Sequence, residues 1–222
     1  MIQHPSPNHD ERRLGIGMVV LHYTGMASGA AAIARLADPV AQVSAHYVVA
    51  EDGNVLQMVD ETRRAWHAGR SWWRGIADVN SASIGIEIVN PGHEFGYVPF
   101  PPEQMASVVA LVEAIVARHA IRPANVVGHS DVAPARKQDP GELFDWPALA
   151  ARGLAARPLP SGDPQWTDQG FLAALHRYGY DIASASDAVV AFQRRHRPRL
   201  LDGAIDAECR ACLRGLLLAE GL

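Results

Sequence analysis

Residues 16–22, I-G-M-V-V-L-H, form a near-continuous apolar run that ends on a histidine. An uninterrupted run of this length reads as a strand buried on both faces, which needs covering layers on both sides. A second apolar pair, Val126-Val127, leads in the same way through Gly128 to His129. Between them, residues 83–89 (S-I-G-I-E-I-V) make another strand, stopped by Asn90-Pro91-Gly92. Residues 46–50 and 55–59 read as short strands joined by Asp52-Gly53-Asn54, whose composition suits a hairpin turn. Two stretches are helical: the Ala-rich residues 28–36, and residues 102–119, which open on a proline where a helix tolerates one. Strands and helices alternate, so the expected class is α/β, one central sheet flanked by helices.

The pattern changes near Ala156. Residues 157–164, R-P-L-P-S-G-D-P, read as a linker. Three helical segments follow, over residues 168–178, 187–197 and 206–220. A module of about 55 residues is near the lower limit for folding alone, so it is expected to dock on the first domain, at least loosely. The chain therefore divides into a domain over 1–155, a linker over 156–166 and a three-helix domain over 167–222.

A net charge of −4 gives no basis for nucleic-acid binding. Two cysteines, Cys209 and Cys212, cannot make a disulfide framework, and inside a helical run without further Cys or His they read as core packing. Residues 1–13 are polar, with no apolar leader core and no lipidation Cys, and no apolar stretch spans a membrane. The simplest expectation is a cytoplasmic, monomeric protein. An exported protein that has lost its leader would look the same.

Chemistry concentrates at strand ends. His22 and His129 each close an apolar strand, and ligand sites in such sheets gather beyond the carboxyl ends of strands. Asp139 follows His129 by ten residues in a loop bounded by Pro and Gly. Two His and one carboxylate leave a fourth position open, as in catalytic rather than structural zinc sites. Taken singly, each His is as well explained by a surface or core position.

Glu87 interrupts a strand of Ile and Val. Either its face, shared with Gly85 and Val89, is solvated, or it is a buried carboxylate with the raised pKa of a general base. Lys137 is the single lysine against 19 arginines. It is either a chance survivor on a loop or a position that needs a compact cation on a flexible stem rather than a planar fork.

Six segments, in order, carry a resemblance. They are V-V-L-H-Y-T (19–24), V-S-A-H-Y-V-V (43–49), R-A-W-H-A-G (64–69), S-I-G-I-E-I-V-N-P-G (83–92), G-H-S-D-V-A-P-A-R-K-Q-D-P-G (128–141) and L-F-D-W-P (143–147). Over residues 14–146 the chain resembles the zinc-dependent N-acetylmuramoyl-L-alanine amidases of the Amidase_2 family, AmpD/AmiD-like. The resemblance implies a mixed sheet flanked by helices, one Zn²⁺ held by His22, His129 and Asp139, and Glu87 with Lys137 as the catalytic pair. Asp139 as third ligand fits the AmpD/AmiD branch, whereas the phage-lysozyme branch has Cys there. That branch also has a catalytic Tyr where this chain has Ala45, which leaves the base role to Glu87.

By the same resemblance, the substrates are muropeptides or peptidoglycan fragments, cut between muramic acid, or its 1,6-anhydro form, and L-Ala. Trp66, His67, Asn80 and Arg136 are expected to bind substrate. Trp72-Trp73 either lines the groove or packs. Residues 188–196 with Asp202-Gly203 resemble a three-helix peptidoglycan-binding domain, but the usual Gly-x-x-Thr after Asp-Gly is blurred to Ala204-Ile205-Asp206, so a docking module is an equal reading. Three rivals stand beside the amidase: a non-catalytic peptidoglycan-recognition protein, a hydrolase of another amide, and a structural zinc protein. The retained ligand set argues against the first, the motif spacing against the second, and Glu87 with Lys137 against the third.

Overall fold

The computed structural model describes residues 1–222. In chain order the elements are β1 (Ile2–Gln3), β2 (His9–Glu11), β3 (Met18–Tyr23), α1 (Gly29–Ala37), β4 (Tyr47–Val49), β5 (Val55–Gln57), β6 (Arg63–Ala65), α2 (Val79–Ala82), β7 (Ser83–Ile88), α3 (Gly92–Phe95), α4 (Pro102–His119), β8 (Val126–Gly128), α5 (His129–Val132) and α6 (Trp146–Ala151). The chain closes with α7 (Asp168–Tyr178), α8 (Ala185–His196) and α9 (Ala207–Glu220). No helix is long and apolar enough to cross a membrane.

Helix limits follow local chemistry. Ser28 Oγ accepts the Ala31 N–H at 3.2 Å and starts α1. Pro102 sits in the first turn of α4, and Ala120, in the left-handed region, ends it. Thr167 and Asp206 cap α7 and α9 through their side-chain oxygens.

The main sheet is mixed, in the order β1-β5-β4-β7-β3-β8. β3 lies between β7 and β8, parallel to both; β4 is parallel to β7 and forms the expected hairpin with β5. Alternation along β3 sorts its side chains. Val19 and Leu21 join Ile84, Ile86 and Ile88 in a cluster with the inner stripe of α4: Met105, Val108, Leu111, Val112 and Ile115. Met18 and Val20 enter a second cluster on the opposite face.

That second cluster shows the C-terminal helices docked on the sheet, and closely. It joins Met18, Val20 and Val127 to Phe171, Leu175, Tyr178, Tyr180, Phe192 and Leu213 from the last three helices. A small helical module cannot bury so many aromatics by itself, so it completes its core on the sheet. Trp73 sits in this core, edge-on to Tyr178 and Tyr180, which takes it out of the groove. The linker is held too: Leu159 N–H donates to Gly215 O at 3.2 Å, and Arg210 pairs with Asp163 at 2.9 Å. Both cysteines are free, and Cys209 is fully buried in the shared core.

Polar residues 1–13 carry no strand signal, yet they extend the fold. β1 adds to β5 at the sheet edge and β2 pairs with β6. Edge pairing uses backbone groups and needs no apolar period. Buried Asn8 ties the arm down, donating to Asp38 O and Val43 O, both at 2.8 Å.

Candidate active site and metal centre

The register of β3 on β7 places His22 directly beside Glu87. His22 continues the face that carries Met18 and Val20, and Glu87 the face that carries Gly85. This end of that face lines a cleft of about 420 Å³. β8 delivers the third strand end, and its successor α5 starts on His129. The loop after α5 folds back, and Ser130 N–H donates to Asp139 O at 2.9 Å, which brings Asp139 to the two histidines.

Three candidate ligand atoms then converge. His22 Nδ1 and His129 Nδ1 are 2.9 Å apart, and each lies 3.0 Å from Asp139 Oδ2. His129 is oriented by its other nitrogen, which donates to Ala68 O at 3.0 Å and leaves Nδ1 bare. Burial, and then His129, push His22 down to about 4 against the pull of Asp139, so the ring is neutral at neutral pH. Burial alone would raise Asp139, but His129 and His22 hold its carboxyl far below the usual range. Buried lone pairs at this spacing repel one another unless a cation lies among them. Two imidazole nitrogens and a carboxylate oxygen are the donor set of a zinc site with one position left for water or substrate. The residues fit the metal.

Glu87 Oε2 is buried without a hydrogen-bond partner. Burial and the nearby Asp139 raise its carboxyl well above the ordinary value, and Lys137 opposes this. Lys137 itself lines the cleft with Glu87, Trp66 and Arg136. Arg136 is exposed at the rim, where its guanidinium also donates to Ala68 O at 3.0 Å.

Of two further expected substrate contacts, Asn80 is set back behind the cleft and His67 lines it. Asn80 is buried, and its Oδ1 accepts the His67 and Ala68 N–H groups at 3.0 and 2.7 Å, so it shapes the loop behind the cleft. His67 reaches the cleft wall, but both ring nitrogens are engaged, with His22 Nε2 at 3.0 Å and Ser83 Oγ at 3.2 Å.

Sequence reasoning missed the support of the His129 loop. Asp131 is fully buried. Its Oδ1 accepts from Tyr180 at 2.6 Å, and its Oδ2 accepts from Gly128 N–H and Arg195, both at 2.7 Å. Tyr180 and Arg195 come from the C-terminal helices, so no local pattern around Asp131 announces them. Arg12 was missed for a similar reason. Its guanidinium donates to Glu61 O and Ser81 O at 2.7 Å and to Ser83 O at 2.9 Å, and burial lowers it to about 10. Tyr23 and His93, 2.9 Å apart, add an aromatic wall to the cleft.

Comparison with known proteins agrees with this geometry. Residues 12–142 match the Amidase_2 family model, described as N-acetylmuramoyl-L-alanine amidase. The chain is 37% identical to N-acetylmuramoyl-L-alanine amidase AmiD of Escherichia coli K12 over 93% of its length and 84% of that protein. It is 40% identical to 1,6-anhydro-N-acetylmuramyl-L-alanine amidase AmpD of Enterobacter cloacae over 47% of its length and 54% of that protein. The solved complex of E. coli AmiD with anhydro-N-acetylmuramic acid-L-Ala-D-γ-Glu-L-Lys superposes with a TM-score of 0.85 at 36% identity, covering 93% of this chain and 90% of that one. AmpDh3 of Pseudomonas aeruginosa superposes with a TM-score of 0.86 at 31% identity, covering 95% of each chain. A histidine pair and a carboxylate at three converging strand and loop ends, on this fold and with these relatives, mean that the chain belongs to the Amidase_2 family of N-acetylmuramoyl-L-alanine amidases.

Proposed function

We propose that this chain hydrolyses the amide between the lactyl carbonyl of N-acetylmuramic acid, or of its 1,6-anhydro form, and the amine of L-Ala. The observation that carries the reading is the pairing of His22 and Glu87 on adjacent strands, next to three converging acceptors. His22, His129 and Asp139 would hold one zinc ion, which when bound supplies a Lewis acid for the carbonyl and acidifies water.

Glu87 takes a proton from the attacking water and passes a proton to the departing amine. Its buried, unpartnered oxygen and raised affinity for protons suit that exchange. Lys137 offers a compact ammonium to the oxygen that becomes negative in the tetrahedral state. Arg136 and Trp66, on the cleft wall, are placed to meet the stem peptide or sugar; a guanidinium matches a peptide carboxylate in shape. Relatives solved with the substrate anhydro-N-acetylmuramic acid-L-Ala-D-γ-Glu-L-Lys and with an anhydromuramic pentapeptide support soluble anhydromuropeptides as the substrate class. The helices over residues 167–222 serve, in this reading, mainly to complete the core and brace the His129 loop.

The deciding experiment is mass spectrometry of reduced and anhydro muropeptides, and of intact sacculi, incubated with the protein with and without a zinc chelator. Chelator-sensitive release of stem peptides beginning at L-Ala is the expected result. Release from soluble fragments alone would place the reaction in recycling, and release from sacculi in the envelope. No release by zinc-loaded protein would overturn the reading.

A further inference from the structure

We propose that His67 is a positioning residue, the centre of a hydrogen-bond relay that holds His22 in the tautomer able to ligate metal. The proposal rests on the zinc reading above.

The relay follows from donor and acceptor bookkeeping. The Ser83 hydroxyl has one proton, and Val79 O, an acceptor only, takes it at 2.6 Å. Ser83 Oγ is therefore an acceptor toward His67 Nε2 at 3.2 Å, and His67 carries its proton there. His67 Nδ1 is then a bare lone pair, which accepts from His22 Nε2 at 3.0 Å. With its proton on Nε2, His22 presents a bare Nδ1 to His129 and Asp139.

The relay has something to oppose. Asp139 Oδ2, 3.0 Å from His22 Nδ1, would draw a proton onto that nitrogen, and the ligand position would then be blocked. Moving that proton while the relay stands would leave two lone pairs facing each other between His22 and His67. Relieving that would require His67 to change tautomer and Ser83 to abandon Val79 O.

The fold seats His67 for this task. A Cβ at Gly85 would lie 2.4 Å from His67 Cγ, so the ring rests on the strand where a side chain is missing. Asn80 grips the His67 backbone N–H at 3.0 Å. The ring meets His22 edge-on, with centroids 5.1 Å apart. Partners of this kind beyond the ligands themselves commonly govern affinity by about 10–100-fold.

The test uses the full chain as wild type, His67→Leu, His67→Gln and Ser83→Ala, each checked for folding by circular dichroism and thermal melting. Zinc affinity is read by chelator competition, and histidine tautomers by ¹⁵N NMR of the metal-free protein. In the wild type, His22 and His67 should both carry their proton on Nε2. His67→Leu should weaken zinc binding by about 10–100-fold and give His22 a mixed or Nδ1–H tautomer. His67→Gln, whose amide can accept from His22 and donate to Ser83, should restore most of the affinity. Ser83→Ala should move the tautomers the same way with a smaller loss, and it remains informative if His67→Leu fails to fold. Nδ1–H on His22 in the wild type, or undiminished zinc affinity in folded His67→Leu or Ser83→Ala, would overturn the relay. A wild type that binds no zinc would instead sink the reading on which it rests.

Discussion

Met18 and Val20 occupy the same face of β3 as His22, yet the two ends of that face have opposite fates. The first two are sealed under the C-terminal helices in one apolar cluster with Phe171 and Phe192. His22, one step further along, looks into the cleft beside Glu87. Buried polar groups divide in the same way. Under the helices, Asp131 has both oxygens satisfied, by Tyr180, Gly128 and Arg195. At the cleft, Glu87 Oε2 has no partner, and three atoms able to ligate a metal lie within 4.8 Å of one another. A satisfied buried charge braces the structure; an unsatisfied one is held ready for a ligand or a proton.

The largest test of that contrast is Asp139→Ala, which should abolish activity and lose zinc by metal analysis while the C-terminal core still melts cooperatively. Zinc retained at wild-type level would refute the ligand assignment. Phe171→Ala should do the reverse, costing about 3–5 kcal/mol in denaturant unfolding with zinc still bound to the folded fraction. Breaking the brace with Asp131→Ala should cost about as much, because Arg195 is left buried and unpaired. If it also weakens zinc binding, the two ends of the face are coupled through the His129 loop.

Glu87→Ala and Lys137→Ala should each lower kcat by about 100-fold or more, some 2.7 kcal/mol, with zinc and melting temperature kept. Full activity in either would remove that residue from the mechanism. Lys137→Arg should also lose most activity, since a planar fork cannot place its charge as a compact ammonium does.

The smallest effect extends the contrast to a paired charge at the far end of α4. Burial raises the Glu61 carboxyl, but hydrogen bonds from Arg118, His119 and Tyr47 outweigh it and leave the pKa below the ordinary value. Its stabilisation is therefore complete above the unfolded carboxylate pKa and disappears as pH falls through the lower folded one. Glu61→Gln should melt lower than wild type at neutral pH and converge with it in acid. Parallel melting curves at all pH values would show that the network contributes nothing.

The apolar runs ending at His22 and His129, the Ile-flanked Glu87 and the Pro/Gly-bounded Asp139 could all be read along the chain, because burial and turn chemistry mark residues locally. So could helix α4, from its proline to its final turn, and the resemblance of six ordered segments to the amidases. The side-by-side placement of His22 and Glu87 depended on strand register, which no single segment encodes. The hydrogen bonds of His67 and Asn80, the brace on Asp131, the packing of Trp73 and the strand formed by the polar N-terminus came only from the tertiary structure. Each depends on partners a dozen or more residues away, and a hydrogen bond or a packed ring leaves no periodic mark in the sequence on either side of the contact.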